Sequence, residues 1–196
     1  MSAVELDEES TWARACTGDA AAFGIVFDLH RDRVYRHAFW MLGAVHDAED
    51  AAAAAFLELW RSRSRVRLVA GSVLPWLLVT TSNVCRNLRR ARRRYGSVLA
   101  SLHPEGGQLS AEDEAIERGS VYEGIDPRLA EVLNDLPATD RGLIMLTALE
   151  GYSVAEAAAA LGLTSGAAKT RMSRARSRLR TRLTWPTRFS PEGGLP

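Results

Sequence analysis

Between Ala168 and Arg178 the chain places Lys169, Thr170, Ser173, Arg174, Arg176 and Arg178 out of phase with Ala168, Met172, Ala175 and Leu179. Apolar residues at that spacing bury one stripe of a helix and turn the cations and hydroxyls outward together. Such a face suits a DNA major groove. Arg and Lys can meet base-edge acceptors there with paired hydrogen bonds, while the other cations and hydroxyls hold phosphates. Ser165 and Arg171 extend the same candidate surface. An isolated Arg-rich helix is more often a solvated face, so the elements before it decide.

Those elements carry start and stop signals. Thr139 can cap a helix reaching Leu149 and ended by Gly151; Ser153 and Glu156 have capping-box spacing for a second helix that stops at Gly162; Thr164 or Ser165 opens the last one. Helix, short turn and helix is the geometry that presents a recognition helix to DNA, which favours the binding reading over the solvated face.

A second basic region precedes this one. Residues 61–95 contain ten Arg and no acid, and 164–188 contain Lys169 and seven Arg, again with no acid. Between them, 104–135 holds nine acidic residues against Arg118 and Arg128, a composition that repels nucleic acid. The net charge of +1 hides these blocks.

The first half reads as helices. Asp19 can cap one or two helices carrying Phe23, Val26, Phe27, Val34, Ala38, Met41 and Leu42 and closed by Gly43. Asp47 can cap a further helix through Trp60, with Phe56, Leu59 and Trp60 as its apolar edge. A basic loop is expected from Arg61 to Gly71. Ser72 can then cap a helix that tolerates Pro75 in its first turn and runs past Asn83 to the arginines at 89–94. Trp60 and Trp76 stand among aliphatic residues and read as packing rather than stacking platforms. With no alternating pattern, the expected class is all-α: two small helical domains joined by a flexible acidic linker, the second a helix-turn-helix domain. The expected bounds are 1–95, a linker at 96–125 with a short helix from Ser110, 126–184, and a frayed tail at 185–196.

Cys16 and Cys85 are distant and lack CxxC or paired-His spacing, so no disulfide framework, metal site or other cofactor is expected. No apolar run approaches a membrane span, and Glu5, Asp7, Glu8 and Glu9 have the wrong sign for a secretory leader, so a cytoplasmic protein is expected. His30, His37, His46 and His103 come without a nucleophile or phosphate loop, which argues against an enzyme.

Leu136-Pro137, Asp140-Arg141, Glu150-Gly151-Tyr152-Ser153-Val154-Ala155-Glu156 and the run Ala168 to Arg176 resemble the fourth region of extracytoplasmic-function (ECF) RNA polymerase sigma factors. Residues 47–60 resemble the family's second region, and Pro75-Trp76-Leu77-Leu78 with Asn83 resembles its promoter-melting helix. The resemblance implies a subunit that binds bacterial core RNA polymerase and promoter DNA, with the last helix reading the minus-thirty-five duplex. It implies that Arg61, Arg63, Arg65, Asn83, Arg86, Asn87 and Arg90 hold the melted non-template strand of the minus-ten element. The basic loop would enclose a flipped base and the arginines would track phosphates.

The polymerase-binding face implied by the resemblance is Asp47, Glu49, Asp50, Ala53, Ala54 and Glu58. Ala53 and Ala54 depart from the family, which has Gln and Glu there, so attachment is expected to rest on the remaining acids. The acidic linker resembles in placement a segment that threads the polymerase's RNA path; a solvated tether fits it equally. An anti-sigma protein is a further partner that the resemblance raises without deciding. The alternative is a helix-turn-helix regulator that does not bind core polymerase.

Overall fold

The computed structural model describes residues 7–102 and 127–182. The first unit contains α1 (Glu8–Cys16), α2 (Ala20–Leu42), α3 (Val45–Ser62) and α4 (Leu74–Leu102), and the second contains α5 (Pro127–Asp135), α6 (Ala138–Ile144), α7 (Val154–Ala160) and α8 (Ser165–Arg182). Residues Met145–Leu149 continue α6 as a π-helical turn. Among the described residues there is no strand, only an isolated bridge between Val69 and Ser72. The all-α class is as expected. The segment with the expected helix from Ser110, and the tail from 185, lie outside the described residues.

Element boundaries follow the capping chemistry, with instructive differences. Asp19 caps α2 by accepting the Ala22 amide at 3.0 Å, and Gly43 closes that single helix with φ 71°. α3 begins earlier than expected, at Val45 after Ala44, so Asp47 is in its first turn and does not cap it. Ser72 accepts the Leu74 amide at 3.0 Å, as a starter of α4 should. Gly96 does not end α4, which continues to Leu102 and so passes residue 95. α6 starts after Pro137, not with a Thr139 cap.

α1 was not anticipated. Its acidic first turn, Glu8 and Glu9 behind the Asp7 cap, favours the positive end of the helix dipole. Trp12 and Ala15 anchor it in a core with Val26, Val34, Phe56, Leu59 and Leu77. Glu8 Oε1 lies 2.9 Å from His30 Nε2 and accepts from Ser72 Oγ at 3.1 Å and the Val73 amide at 2.8 Å. Burial raises the pKa of this carboxyl, but the bonds from His30, Val73 and Ser72 outweigh it and hold the carboxyl below its ordinary value.

A second core crosses between the two units. It joins Phe39, Met41, Leu78 and Cys85 of α2 and α4 to Leu133, Leu143, Leu146 and Ala157. His37 is buried close to this seam, with Nε2 2.8 Å from Ser82 Oγ, while that hydroxyl donates to Leu78 O at 2.9 Å. The ring is therefore a neutral Nε2–H donor. Burial, reinforced by the charges of Arg33 and Arg141, pushes its pKa down from 6.5 to about 3.

Below pH 6.5 the unfolded chain takes up a proton at His37 that the folded chain refuses. Stability is complete above that pH and should fall on acidification by at most about 1.4 kcal/mol per pH unit. Glu8 adds to the slope only below its ordinary value of 4.5. Urea titrations from neutral pH to about pH 5 should show a slope in wild type that His37→Gln flattens; equal slopes would contradict this role for His37.

Candidate nucleic-acid interface

α8 is held by the stripe its sequence predicts: Ala168, Met172 and Ala175 are buried against α6 and α7. The capping box of α7 is complete, with Ser153 Oγ accepting the Glu156 amide at 3.2 Å and Glu156 Oε2 accepting the Ser153 amide at 2.7 Å. Gly162 turns the chain with φ 65°, a left-handed conformation that glycine adopts without steric cost. Thr164 Oγ1 then accepts the Ala167 amide at 3.3 Å, which makes Thr164 the cap and leaves Ser165 as an exposed first residue of α8.

Lys169, Thr170, Ser173, Arg174 and Arg176 all lie exposed on α8. Arg171 and Arg178 are exposed too, but they reach back to the buried carboxylate of Asp140, at 2.9 and 3.7 Å. They brace α8 on α6, so the outward cationic group is narrower than the sequence suggested. Arg180 joins that group, lining a cleft of about 290 Å³ with Lys169, Ser173 and Arg176. It could have been found by continuing the helical phase past Arg178.

In the first unit Arg61 belongs to the last turn of α3, so the basic segment is only partly loop. Val66 and Val69 bury its apolar side, and the turn passes through left-handed Ala70 at φ 52° and Gly71 at φ 75°. Arg61 and Arg65 are exposed. Arg63 instead stacks its guanidinium on Trp60, 4.2 Å from the ring centroid, and donates to Trp60 O at 2.8 Å. Trp60 also meets Phe23 edge-on at 5.0 Å, and Trp76 packs against the same core.

Asn83, Arg86, Asn87 and Arg90 follow one another along α4 at helical spacing. Asn87 and Arg90 are exposed, whereas Asn83 Oδ1 accepts from Arg141 Nη2 of the second unit at 2.9 Å. A second polar tie across the seam pairs Arg33 with the buried carboxylate of Glu150. Sequence spacing offered no sign of either contact, because the partners stand 58 and 117 residues apart.

On α3, Glu49, Asp50, Ala53 and Glu58 are exposed and Ala54 is half-buried. Asp47 is largely covered and paired with Arg92, so it is not part of the free acidic face. Leu57 is 49% exposed among these residues. It is an apolar side chain in a polar helical phase, a signal that sequence reasoning passed over.

Among the described residues no group of His, Cys, Asp and Glu is arranged to hold a metal, and no helix is long and apolar enough to cross a membrane. Cys85 is buried, which pushes its thiol up to about 12.

Residues 26–95 match the family Sigma-70 region 2, and residues 127–179 match Sigma-70, region 4. The chain is 32% identical over 182 residues to the ECF RNA polymerase sigma factor SigE of Mycolicibacterium smegmatis, covering 90% of this chain and 69% of that protein. It is 29% identical over 176 residues to the ECF RNA polymerase sigma factor SigM of Mycobacterium tuberculosis, covering 89% and 84%. The solved structure of CnrH in complex with the cytosolic domain of CnrY is similar at a TM-score of 0.56 and 26% identity, over 91% of this chain and 97% of CnrH. The chain belongs to the ECF RNA polymerase sigma factors, a family of transcription factors rather than enzymes.

Proposed function

We propose that this sigma factor binds core RNA polymerase, reads the minus-thirty-five element as duplex with α8, and holds the melted minus-ten strand on α4 and the 61–71 segment. The observation that carries the reading is the outward group Lys169, Ser173, Arg174 and Arg176, set on a complete helix-turn-helix and without a carboxylate partner among the described residues. Base-edge acceptors and phosphates supply what those donors lack. The working division places the polymerase-binding unit up to about residue 95, the acidic linker at 96–125, and the helix-turn-helix unit at 126–184.

Strand capture requires more than exposed cations. With Asn83 engaged by Arg141, the second unit must leave α4 before Asn83 can meet a base. The protein therefore works by separating its two units, which also lets α8 and α4 occupy promoter elements some distance apart. CnrH is in complex with the cytosolic domain of CnrY in its solved structure, and an anti-sigma protein is a candidate partner of this chain.

Asn83→Ala, or joint replacement of Arg61 and Arg65 by Ala, should impair promoter opening more than duplex binding, since these groups belong to the strand-holding half. Permanganate footprinting reads the opening directly. Artificially melted templates should restore transcription by the variants at least in part; equal defects on melted and duplex templates would count against a specific opening role. Arg63→Ala should act chiefly by loosening Trp60.

The polymerase contact is assigned to Glu49, Asp50, Ala53, Leu57 and Glu58, with Asp47 committed to Arg92. A helix-turn-helix regulator without core binding is the second reading, favoured only by the alanines at 53 and 54.

A further inference from the structure

Arg141 is fully buried at the seam, yet its guanidinium has few partners. It donates to Asn83 Oδ1 at 2.9 Å and at long range to Leu136 O at 3.5 Å, while Nε has no partner. No carboxylate pairs with it among the described residues, and Arg86 and Arg90 add like charge nearby. Burial and those two cations push its pKa down to about 10. A buried cation without counter-charge carries a large desolvation cost, which an anion at the seam would offset.

A cleft of about 190 Å³ opens between α4 and α5, lined by Arg86, Arg89, Arg90 and Arg93 of α4 and by Asn134 and Asp135 of α5. Arg89 donates to Met41 O, and Asp135 accepts from Arg182 at 2.8 Å. Asn134 is only 9% exposed, and neither its amide nitrogen nor its oxygen has a partner. Arg86 Nε is likewise buried and unpartnered. Native proteins rarely leave such groups unsatisfied without a missing water, ion or ligand. The cleft is small, about 190 Å³, and is walled by both α4 and α5, which suits a compact anion.

We propose that this seam is a binding site for a condensed phosphate of the diphosphate class, bridging Arg86, Arg90 and Arg93 of α4 to the Asn134 amide of α5. Guanidinium forks suit phosphate oxygens, and a diphosphate offers enough oxygens to engage several donors at once. Because the donors come from both units, the anion binds only when the units are together. It clamps them, and it keeps Asn83 on Arg141. The source is free pyrophosphate or the phosphate chain of a nucleotide.

The test is isothermal titration of the full chain with inorganic pyrophosphate at constant ionic strength, with sulfate and orthophosphate as controls. One saturable site, at least about tenfold tighter for pyrophosphate than for sulfate, is expected from multidentate charge-assisted bonding. Asn134→Leu and Arg93→Ala should each weaken it several-fold while circular dichroism stays unchanged. Pyrophosphate should raise the melting temperature of wild type, and the rise should shrink in Arg141→Met, which no longer buries an unpaired charge. A nucleoside diphosphate arm separates the sources: tighter binding assigns a nucleotide, and equal or weaker binding assigns the phosphate chain alone. Neither DNA nor polymerase is present, so the result is independent of the promoter reading. Non-saturable binding, no preference over sulfate, or wild-type affinity in Asn134→Leu would overturn the proposal.

Discussion

Replacing Lys169 and Arg174 together by Ala is expected to weaken binding to a cognate minus-thirty-five duplex by about 2–6 kcal/mol, at ~1–3 kcal/mol for each lost base contact. Both side chains are exposed on α8, clear of the Asp140 brace that occupies Arg171 and Arg178. Neither supports the fold, so the thermal midpoint should hold. Fluorescence anisotropy at several salt concentrations separates the roles. A lost phosphate contact lowers the salt slope by about one unit, whereas a lost base contact relaxes sequence preference. Arg171→Ala should behave differently, lowering the stability of the second unit by loosening α8 from α6. Unchanged affinity in the folded double variant would remove α8 as the reader.

Glu150→Ala should release the two units from each other. Its carboxylate is 1% exposed and holds Arg33 of α2, whose side chain is 25% exposed. Breaking a buried pair costs about 3–5 kcal/mol, but Arg33 can partly rehydrate, so about 1–3 kcal/mol is the expected loss across the seam. Since Arg141 covers Asn83 in the closed arrangement, the variant should bind single-stranded minus-ten oligonucleotide more tightly than wild type, by up to about a hundredfold if opening limits capture. The gain should disappear when Asn83→Ala is added. Equal oligonucleotide affinity in wild type and Glu150→Ala would mean that the seam does not control access to Asn83.

Local signals in the sequence were sufficient for the helix-turn-helix of the second unit, though not for α5 or for the start of α6. The Ser153–Glu156 capping box, the Gly162 turn and the Ala168, Met172, Ala175 stripe act within a few residues of themselves, and each appears in the structure. The first unit was legible where its caps were, at Asp19 and Gly43. α1 was missed because its short apolar edge, Trp12 and Ala15, has meaning only against α2 and α3, and because its acidic first turn reads as a charge run. The start of α3 was misplaced because Asp47, a good cap by type, is instead paired with Arg92 across 45 residues.

The candidate site shows the same division. Residue type and helical phase marked Lys169, Ser173, Arg174 and Arg176 as outward; all four are exposed, and Lys169, Ser173 and Arg176 line one cleft. They could not separate these from Arg171 and Arg178, whose partner Asp140 comes from another helix. Nor could they show Arg63 stacked on Trp60 or Asn83 held by Arg141, since both outcomes depend on tertiary placement. Leu57 was legible in principle, as an apolar residue on the exposed side of α3.

The central claim is that this chain gives core RNA polymerase the capacity to start at promoters, and run-off transcription with purified core tests it most directly. Core plus wild-type chain should yield discrete 5′ ends preceded by a common minus-thirty-five sequence. The Lys169→Ala, Arg174→Ala variant should lose them, and Glu49→Ala, Asp50→Ala should compete poorly for core, increasingly so as salt rises. If wild type binds duplex DNA through α8 yet neither associates with core nor produces a start site, the chain acts as a DNA-binding regulator and does not initiate transcription.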